Sequence, residues 1–323
     1  MQRWTSIGAV PAGFGPSVVT IGNFDGVHLG HQGLLGTVVA AARERGLPAV
    51  AVTFEPHPVA VLFPDRAPAV LTTSEHRLDL LAACGLDAVL VLEFTREFAQ
   101  WSPERFVAEV FAGALGAQLV LVGADTRFGY RNSGDVDTLR QLGAVHGFEV
   151  GVVGEVRPDD EPDRRWSSTW VRELLAEGDV AGAARVLGRA HRVTGVVVHG
   201  DHRGRELGYP TANLSPDAVG QVPADGVYAG RLVRPELPAG APDAVLPAAI
   251  SVGTNPTFDG LERRVEAYVL DRTDLDLYGE RLAVEFVERL RPTLRFDGVE
   301  ALVAQMALDV ARCRELLGAP ARP

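Results

Sequence analysis

Residues 18–31 of the 323-residue chain read VVTIGNFDGVHLGH, an apolar run that leads directly into a glycine-rich turn. Val18 to Ile21 have the uninterrupted aliphatic character of a strand that is buried on both faces. After the turn, apolar residues recur at helical spacing, at Leu34, Leu35, Val38, Val39 and Ala42. The stretch therefore predicts a strand, a turn and a helix that begins near Gly30 and ends at Gly46.

The turn between this strand and helix has a composition that suits a phosphate ligand. Its three glycines let the backbone approach a ligand, and the helix N-terminus offers N–H groups with a partial positive charge. His28 and His31 can add hydrogen-bond donors, so a nucleotide triphosphate fits the turn. Two other interpretations stay open: histidines that only cap the helix, and a His-x-x-His zinc pair, although no third ligand is apparent nearby.

The bulk composition narrows the classes of partner. A net charge of -11 argues against broad electrostatic attraction to nucleic acid or to an anionic membrane. All 31 basic residues are arginines, so no lysine ammonium group is available to hold phosphates.

No apolar run reaches about 20 residues and no signal-peptide pattern follows Met1, so we expect a cytoplasmic protein. Cys84 and Cys313 lie far apart in apolar segments and are expected to be buried thiols.

Short aliphatic runs alternate with helical patterns over the first half of the chain. The runs that read as buried strands cover residues 18–21, 49–54, 89–92, 119–122 and 149–153. Ser102 and Pro103 have the character of a helix start, and Ser74 begins a helix that Gly85 ends. Repeated β-α units of this kind predict a Rossmann-like parallel sheet with helices on both faces. Ligands then belong at the carboxyl ends of the strands.

The pattern changes near residue 187, where we place the start of a second domain. Strand-like segments follow at 192–199, 226–233, 248–252, 265–270 and 282–286. Turns rich in Gly, Pro, Asp and Asn separate them, which predicts a small antiparallel β-barrel. One helix closes the chain, and its apolar face comprises Val299, Leu302, Val303, Met306, Val310, Cys313 and Leu317.

The motifs of the first half resemble those of a known family. His28-Leu29-Gly30-His31 resembles the His-x-Gly-His motif of the nucleotidyltransferase superfamily, and residues 22–31 are similar to those of bacterial bifunctional riboflavin kinase/FAD synthetases. Three further segments match the same family: TFEPHP at 53–58, GADTRFG at 123–129 and SSTWVR at 167–172. All of them fall at strand ends or helix starts, where an α/β sheet binds its ligands.

The resemblance implies an FMN adenylyltransferase domain over residues 1–186. The implied ATP- and phosphate-binding residues are Gly22, Phe24, His28, Gly30, His31, Ser167, Ser168, Thr169 and Arg172, with the two histidines as catalytic groups. The implied flavin-binding residues are Asp125, Arg127 and Phe128. Taken without the family, the Ser167 segment is better interpreted as an ordinary N-cap followed by a solvated arginine. Thr126 departs from the family, which usually has Phe there.

The second half contains the motif GYPTAN at residues 208–213, which resembles the GFPTAN motif of riboflavin kinases. GVYA at 226–229, GTNPTF at 253–258 and DLYG at 276–279 match further segments of that family. The resemblance implies a riboflavin kinase domain over residues 187–323. It implies ATP contacts from Gly208, Pro210, Thr211 and Asn213, Mg²⁺ ligation by Thr211 and Asn213, and flavin contacts from Asn213 and Tyr278.

Glu266 lies in the segment RVEAYV, where alternation places Val265 and Ala267 on one face of a strand and Glu266 on the other. A carboxylate in that position is often just solvated. Its place after the Asn-Pro-Thr-Phe segment matches the catalytic glutamate of the family, which implies a general base. Thr293 departs from the family, in which an acid or another residue type is usual at that position.

The implied activity is bifunctional: riboflavin is phosphorylated with MgATP to FMN, and FMN is then adenylylated with a second ATP, releasing pyrophosphate. Mg²⁺ is the implied metal, and riboflavin, FMN and ATP are the implied partners, with neither nucleic acid nor membrane among them. Two alternatives stay open, a kinase whose adenylyltransferase half is weak or altered, and a non-catalytic flavin-binding module. Monomer and weak self-association both remain open.

Overall fold

A computed structural model describes residues 1–158, 160–200, 207–238, 240–257 and 260–318. Two units emerge from the packing, the first formed by Met1–Pro68 and Ser74–Ser167, the second by Ala69–Thr73 and Ser168–Pro323. The boundary placed between residues 186 and 187 stays a prediction. Phe258, the last residue of the GTNPTF motif, lies outside the described residues.

The aliphatic runs of the first half form a parallel sheet of six strands, as predicted. The strands are β1 (Gln2–Trp4), β2 (Ser17–Ile21), β3 (Ala49–Glu55), β4 (Ala88–Glu93), β5 (Ala117–Gly123) and β6 (Glu149–Val153). Their order is β1-β4-β3-β2-β5-β6, and every neighbouring pair is parallel. After β2 the chain adds β3 and β4 on one side of β2 and then adds β5 and β6 on its other side. The expected ligand crevice therefore lies between the carboxyl ends of β2 and β5.

Helices cover both faces of this sheet. They are α1 (Leu29–Arg45), α2 (Pro58–Leu62), α3 (Ser74–Ala83), α4 (Pro103–Phe106) and α5 (Val136–His146). Strand residues alternate between two cores: Val18 packs with Leu35 of α1 and Leu81 of α3, whereas Val19 packs with Phe111 on the opposite face. The prediction of helices on both faces is thus confirmed.

Three features of this unit differ in detail from the sequence prediction. Strand β1 was not predicted, because only Trp4 of its three residues is buried and no apolar run marks it. The helix that Ser102 caps changes after α4 into a π-helical segment, Val107–Ala114. Cys84, expected to be buried, is half-buried just after α3.

The second unit contains two helices, a barrel and a final helix. These elements are α6 (Ser168–Glu177), α7 (Val180–Leu187), β7 (His191–Val198), β8 (Thr211–Leu214), β9 (Gly226–Val233), β10 (Val245–Thr257), β11 (Gly260–Val269), β12 (Arg281–Arg291) and α8 (Val299–Leu317). The strands close in the order β10-β11-β8-β7-β12-β9, and all pairs are antiparallel. The predicted antiparallel barrel and closing helix are confirmed.

Helix α8 packs against the outside of the barrel through part of its predicted apolar face. Val310 and Cys313 are buried in a cluster with Ala229 and Leu270. Burial, and next the neighbouring Asp309 carboxylate, raise the pKa of the Cys313 thiol to about 12. Val299, predicted on this face, is 55% exposed because it lies in the first turn of the helix.

His191 at the start of β7 gives the second unit a pH-dependent stability. Burial lowers its pKa to about 4, although its Nε2 lies 2.7 Å from the carbonyl oxygen of Gln221. The unfolded chain takes up this proton near pH 6.5, so between about pH 6.5 and 4 the unfolded state binds more protons than the folded state. Stability is therefore expected to fall as the pH falls through this window, by about 1.4 kcal/mol per pH unit from this residue.

The His191→Gln variant tests this expectation, because it removes the titrating ring. Urea unfolding followed by circular dichroism at several values between pH 7 and pH 5 should show a shallower loss of stability in the variant than in the wild type. Equal slopes would rule out His191 as the source.

Candidate active sites

The turn between β2 and α1 has an unusual backbone held in place by buried side chains. Phe24 and Val27 adopt left-handed conformations, with φ of 50° and 38°, although neither is glycine. Their side chains are 0% and 1% exposed, and Gln32 of α1 donates from Nε2 to the carbonyl oxygen of Val27 at 2.8 Å. Strained conformations of this kind persist where packing over-determines them, typically at functional sites. Phe24 can therefore offer a ligand only its backbone, since its ring fills the core.

The two histidines of this turn stack at the N-terminus of α1. Their ring centroids are 3.7 Å apart, with an interplanar angle of 24°. His28 caps the helix: its Nδ1 accepts from the backbone N–H of His31 at 3.3 Å, so a neutral ring has its hydrogen on Nε2, where it can be donated. Burial, and next the adjacent His28, lower the pKa of His31 well below its usual value. His31 can thus bind phosphate oxygens as a neutral donor, and His28 can donate from Nε2.

His31 has a further property that points to a ligand. Its Nδ1 is buried and has no hydrogen-bond partner among the described residues. Buried polar atoms are almost always paired, so an orphaned one at a helix N-terminus is consistent with a missing ligand. The described residues contain no group of three or more His, Cys, Asp or Glu side chains that could hold a metal ion, so the zinc interpretation gains no third ligand.

Two glycines of the turn lie in tight packing. A Cβ at Gly30 would lie 3.1 Å from both Nδ1 of His28 and the carbonyl oxygen of Trp166. A Cβ at Gly22 would lie 3.0 Å from the Phe24 ring. A side chain at either position would require its neighbours to shift by a few tenths of an ångström.

A buried arginine that the sequence analysis did not single out joins this turn to the end of β3. Arg77 of α3 donates to the carbonyl oxygens of Asn23 (3.2 Å) and Phe54 (3.1 Å) and to Oε2 of Glu55 (2.7 Å). Thr53 Oγ1 donates to the same Asn23 carbonyl at 3.1 Å. A lone arginine in an amphipathic helix has no pattern that marks it as buried, so the sequence held no signal for it.

The loop after β5 contains the three residues implied to bind flavin, and the structure gives them different environments. Asp125 is exposed and accepts from Arg165 at 2.6 Å, a contact that raises the pKa of Arg165. Arg127 is exposed and pairs with Asp135 at 3.2 Å. Phe128 is 6% exposed and packs 6.0 Å from Phe106 in the core, and its implied flavin contact stays a prediction.

Helix α6 begins within the Ser-Ser-Thr segment, and this predicted helix start is confirmed. Ser167 precedes the helix, Ser168 is its first residue and Thr169 is exposed. Arg172, one turn later, donates from Nε to the carbonyl oxygen of Ala69 at 2.8 Å, so its guanidinium is oriented by the backbone rather than simply solvated. The joint use of this segment and the histidine turn by one triphosphate stays a prediction.

The barrel brings together the three polar residues singled out in the second half. In the β8–β11 register Glu266 lies opposite Asn213, and Tyr268 lies opposite Thr211. Thr211 Oγ1 is 3.5 Å from Glu266 Oε2 and 3.3 Å from Asn213 Nδ2. The predicted alternation of β11 is confirmed, because Val265 and Ala267 are buried while Glu266 is half-buried on the other face.

The surroundings of this cluster hold Asn213 closely. A Cβ at Gly200 would lie 2.6 Å from Asn213 Nδ2, so a larger residue there would displace the amide. Gly208 has a φ of 86° in an exposed turn, and Pro210 immediately precedes β8. Tyr278 is 41% exposed and lies 4.0 Å from the His199 ring, centroid to centroid.

The cluster of Thr211, Asn213 and Glu266 combines a hydroxyl, an amide and a carboxylate on one face of the sheet. Such a set can bind a hard cation and take a proton from a substrate hydroxyl.

Comparisons with known proteins agree with both halves of this description. The family models for FAD synthetase and riboflavin kinase match residues 12–169 and 187–317. The bifunctional riboflavin kinase/FMN adenylyltransferases of Escherichia coli (strain K12) and Pseudomonas fluorescens are each 38% identical to this chain, covering 93% of it and 93% and 92% of their own lengths. The crystal structure of a macrolide-efflux protein from Streptococcus pneumoniae matches with a TM-score of 0.83 and 32% identity, covering 97% of this chain and 98% of that one.

Fold and site together define a flavin-nucleotide biosynthetic enzyme with a nucleotidyltransferase-type α/β domain and a barrel-type kinase domain. The chain belongs to the bifunctional riboflavin kinase/FMN adenylyltransferase family. In the described part of the chain, no helix is both long and apolar enough to cross a membrane.

Proposed function

We propose that this chain phosphorylates riboflavin to FMN in its barrel and adenylylates FMN to FAD in its α/β domain. The observation that supports the proposal most is the cluster of Thr211, Asn213 and Glu266 on one face of β8 and β11, at 3.3 to 3.5 Å. The net charge of -11 favours small-molecule partners held by local sites over nucleic acid or anionic membranes. A cytoplasmic location belongs to the same proposal, because both reactions consume ATP.

In the kinase reaction, Glu266 accepts the proton of the ribityl 5′-hydroxyl as its oxygen attacks the γ-phosphorus of ATP. The bond between the γ-phosphorus and the bridging oxygen breaks, and ADP leaves. The hydroxyl of Thr211, 3.5 Å from the carboxylate, holds Glu266 toward the reacting phosphate. Asn213, only 9% exposed, is fixed by its contacts with Thr211 and can orient both substrates.

The same cluster suits Mg²⁺, because a hydroxyl oxygen and an amide oxygen are ligands of the kind that hard cations prefer. Thr211 Oγ1 and Asn213 Oδ1 would hold the ion. When bound, Mg²⁺ neutralises charge on the β- and γ-phosphates of ATP.

In the adenylyl transfer, a phosphate oxygen of FMN attacks the α-phosphorus of ATP, and the bond to the β-phosphate oxygen breaks to release pyrophosphate. The nucleophile is already an anion, so the site needs no base and acts by alignment and charge stabilisation. His28 and His31 suit donation to phosphate oxygens from the N-terminus of α1. Ser168, Thr169 and Arg172 are proposed to bind the β- and γ-phosphates.

A chromatographic time course tests both activities together. Purified protein with riboflavin, excess ATP and Mg²⁺ is expected to produce FMN first and FAD afterwards, because FMN is the substrate of the second reaction. FMN that accumulates without FAD would reject the adenylyltransferase half, and absence of both products would reject the proposal.

A further inference from the structure

The buried guanidinium of Arg77 has no role in the reactions described so far, although it contacts two loops of the first site. It is 4% exposed, and its partners are three oxygens from two separate segments. Arginine is rarely buried to this extent unless its partners require it, because the charge must leave water. An apolar side chain at this position of α3 would pack with the sheet without that cost.

The location of these partners is informative. Asn23 lies in the turn that ends at His28, whereas Phe54 and Glu55 are the last residues of β3. The carbonyl oxygen of Phe54 and the carboxylate of Glu55 are therefore acceptors at the end of β3. The carbonyl oxygen of Asn23 is the acceptor in the histidine turn. A planar guanidinium spans such acceptors with a fixed geometry that no other side chain provides.

Two further contacts extend this connection. Thr53 is 0% exposed and its hydroxyl donates to the Asn23 carbonyl that Arg77 also binds. The side-chain amide of Asn23 lies 3.4 Å from Nε2 of His57, and Nδ1 of His57 accepts from Val59 at the start of α2. The two loops at the carboxyl ends of β2 and β3 are thus tied through one residue, Asn23.

We propose that Arg77 is a positioning residue for adenylyl transfer, which fixes the spacing between the turn that ends at His28 and the loop that contains His57. This inference rests on the proposed FMN adenylyltransferase function. Without the guanidinium, the Asn23 carbonyl keeps only the Thr53 hydroxyl as its partner in this network. A shift of phosphate-binding groups by about 1 Å can lower a rate by about 100-fold.

The test compares Arg77→Met with wild type in the full-length chain. FAD formation from supplied FMN is measured as kcat and KM, riboflavin phosphorylation by the same sample reports on the barrel, and circular dichroism with a thermal melt establishes that the α/β unit is folded. We expect the kcat of FAD formation to fall by about 100-fold while the KM for FMN and the kinase rate stay unchanged. A role in stability alone would lower the melting temperature and leave kcat per folded molecule intact.

Arg3→Met is the matched control. Arg3 also pairs with a side chain of α3, Asp79, at 2.6 Å, but this pair is exposed and touches neither loop. The control should retain both activities.

If Arg77→Met does not fold, Arg77→Lys and Thr53→Val test the inference instead. Each retains part of the network and should lower FAD formation by a smaller factor without affecting the kinase.

Two results would overturn the inference: an unchanged kcat of FAD formation in folded Arg77 and Thr53 variants, or an equal loss of both activities. If the wild type itself forms no FAD, the proposed function fails and the inference fails with it. If the wild type forms FAD and the variants do so at full rate, only the inference fails.

Discussion

Replacing Glu266 by glutamine is expected to lower riboflavin phosphorylation by about 100- to 10,000-fold, the range in which a general base contributes. Glutamine preserves the size of the side chain and can still accept from the Thr211 hydroxyl, which lies 3.5 Å from the carboxylate. What it loses is the ability to take the proton of the attacking hydroxyl. FAD formation from supplied FMN should continue at the wild-type rate, because that reaction is assigned to the other unit.

The measurement is the initial rate of FMN formation from riboflavin and MgATP, with FAD formation assayed separately. Glu288→Gln is a suitable control, since Glu288 lies in β12 of the same barrel and is exposed. A Glu266→Gln variant that phosphorylates riboflavin at the wild-type rate would show that another group accepts the proton.

The His28→Ala/His31→Ala double variant is expected to lose FAD formation and to retain FMN formation. Loss of one preorganised donor typically costs about 100- to 1,000-fold in rate, and this change removes two donors that stack on each other. Loss of the His28 cap also weakens the first turn of α1, where the phosphate is proposed to bind. FAD is measured by chromatography after addition of FMN and ATP.

His146→Ala provides the control for this second variant, because His146 is an exposed histidine at the end of α5 in the same unit. Circular dichroism establishes that the double variant is folded. If FMN formation disappeared together with FAD formation in folded protein, the assignment of the two activities to separate units would be wrong.

Strands with two buried faces could be predicted from the sequence, because their aliphatic runs have no other common explanation. β2, β3 and β5 are of this kind, and their predicted and observed bounds differ by no more than two residues at either end. Strand β8 could not be predicted in this way, since Thr211 and Asn213 interrupt any apolar run. Its first three residues are predicted only as part of a motif, and the pairing with β11 that assembles the cluster required the structure.

The candidate sites show the same division between pattern and packing. The spacing of His28 and His31 predicts that both meet at a helix N-terminus, and they do stack there. Sequence spacing does not reveal long-range partners, so the contact of Arg77 with Asn23, 54 residues away, had no visible signal. The motif containing Phe128 likewise does not show that its ring turns into the core.

The contrast between the two cysteines makes the native chain suitable for labelling at one position. Cys313 is 0% exposed and its pKa is raised to about 12, so its reactive thiolate is scarce near neutral pH. Cys84 is half-buried and directly follows α3, the helix that contains Arg77. A maleimide fluorophore should therefore attach at Cys84 without any engineered cysteine, so the α/β unit carries the label at the amino ends of its strands and the barrel carries none.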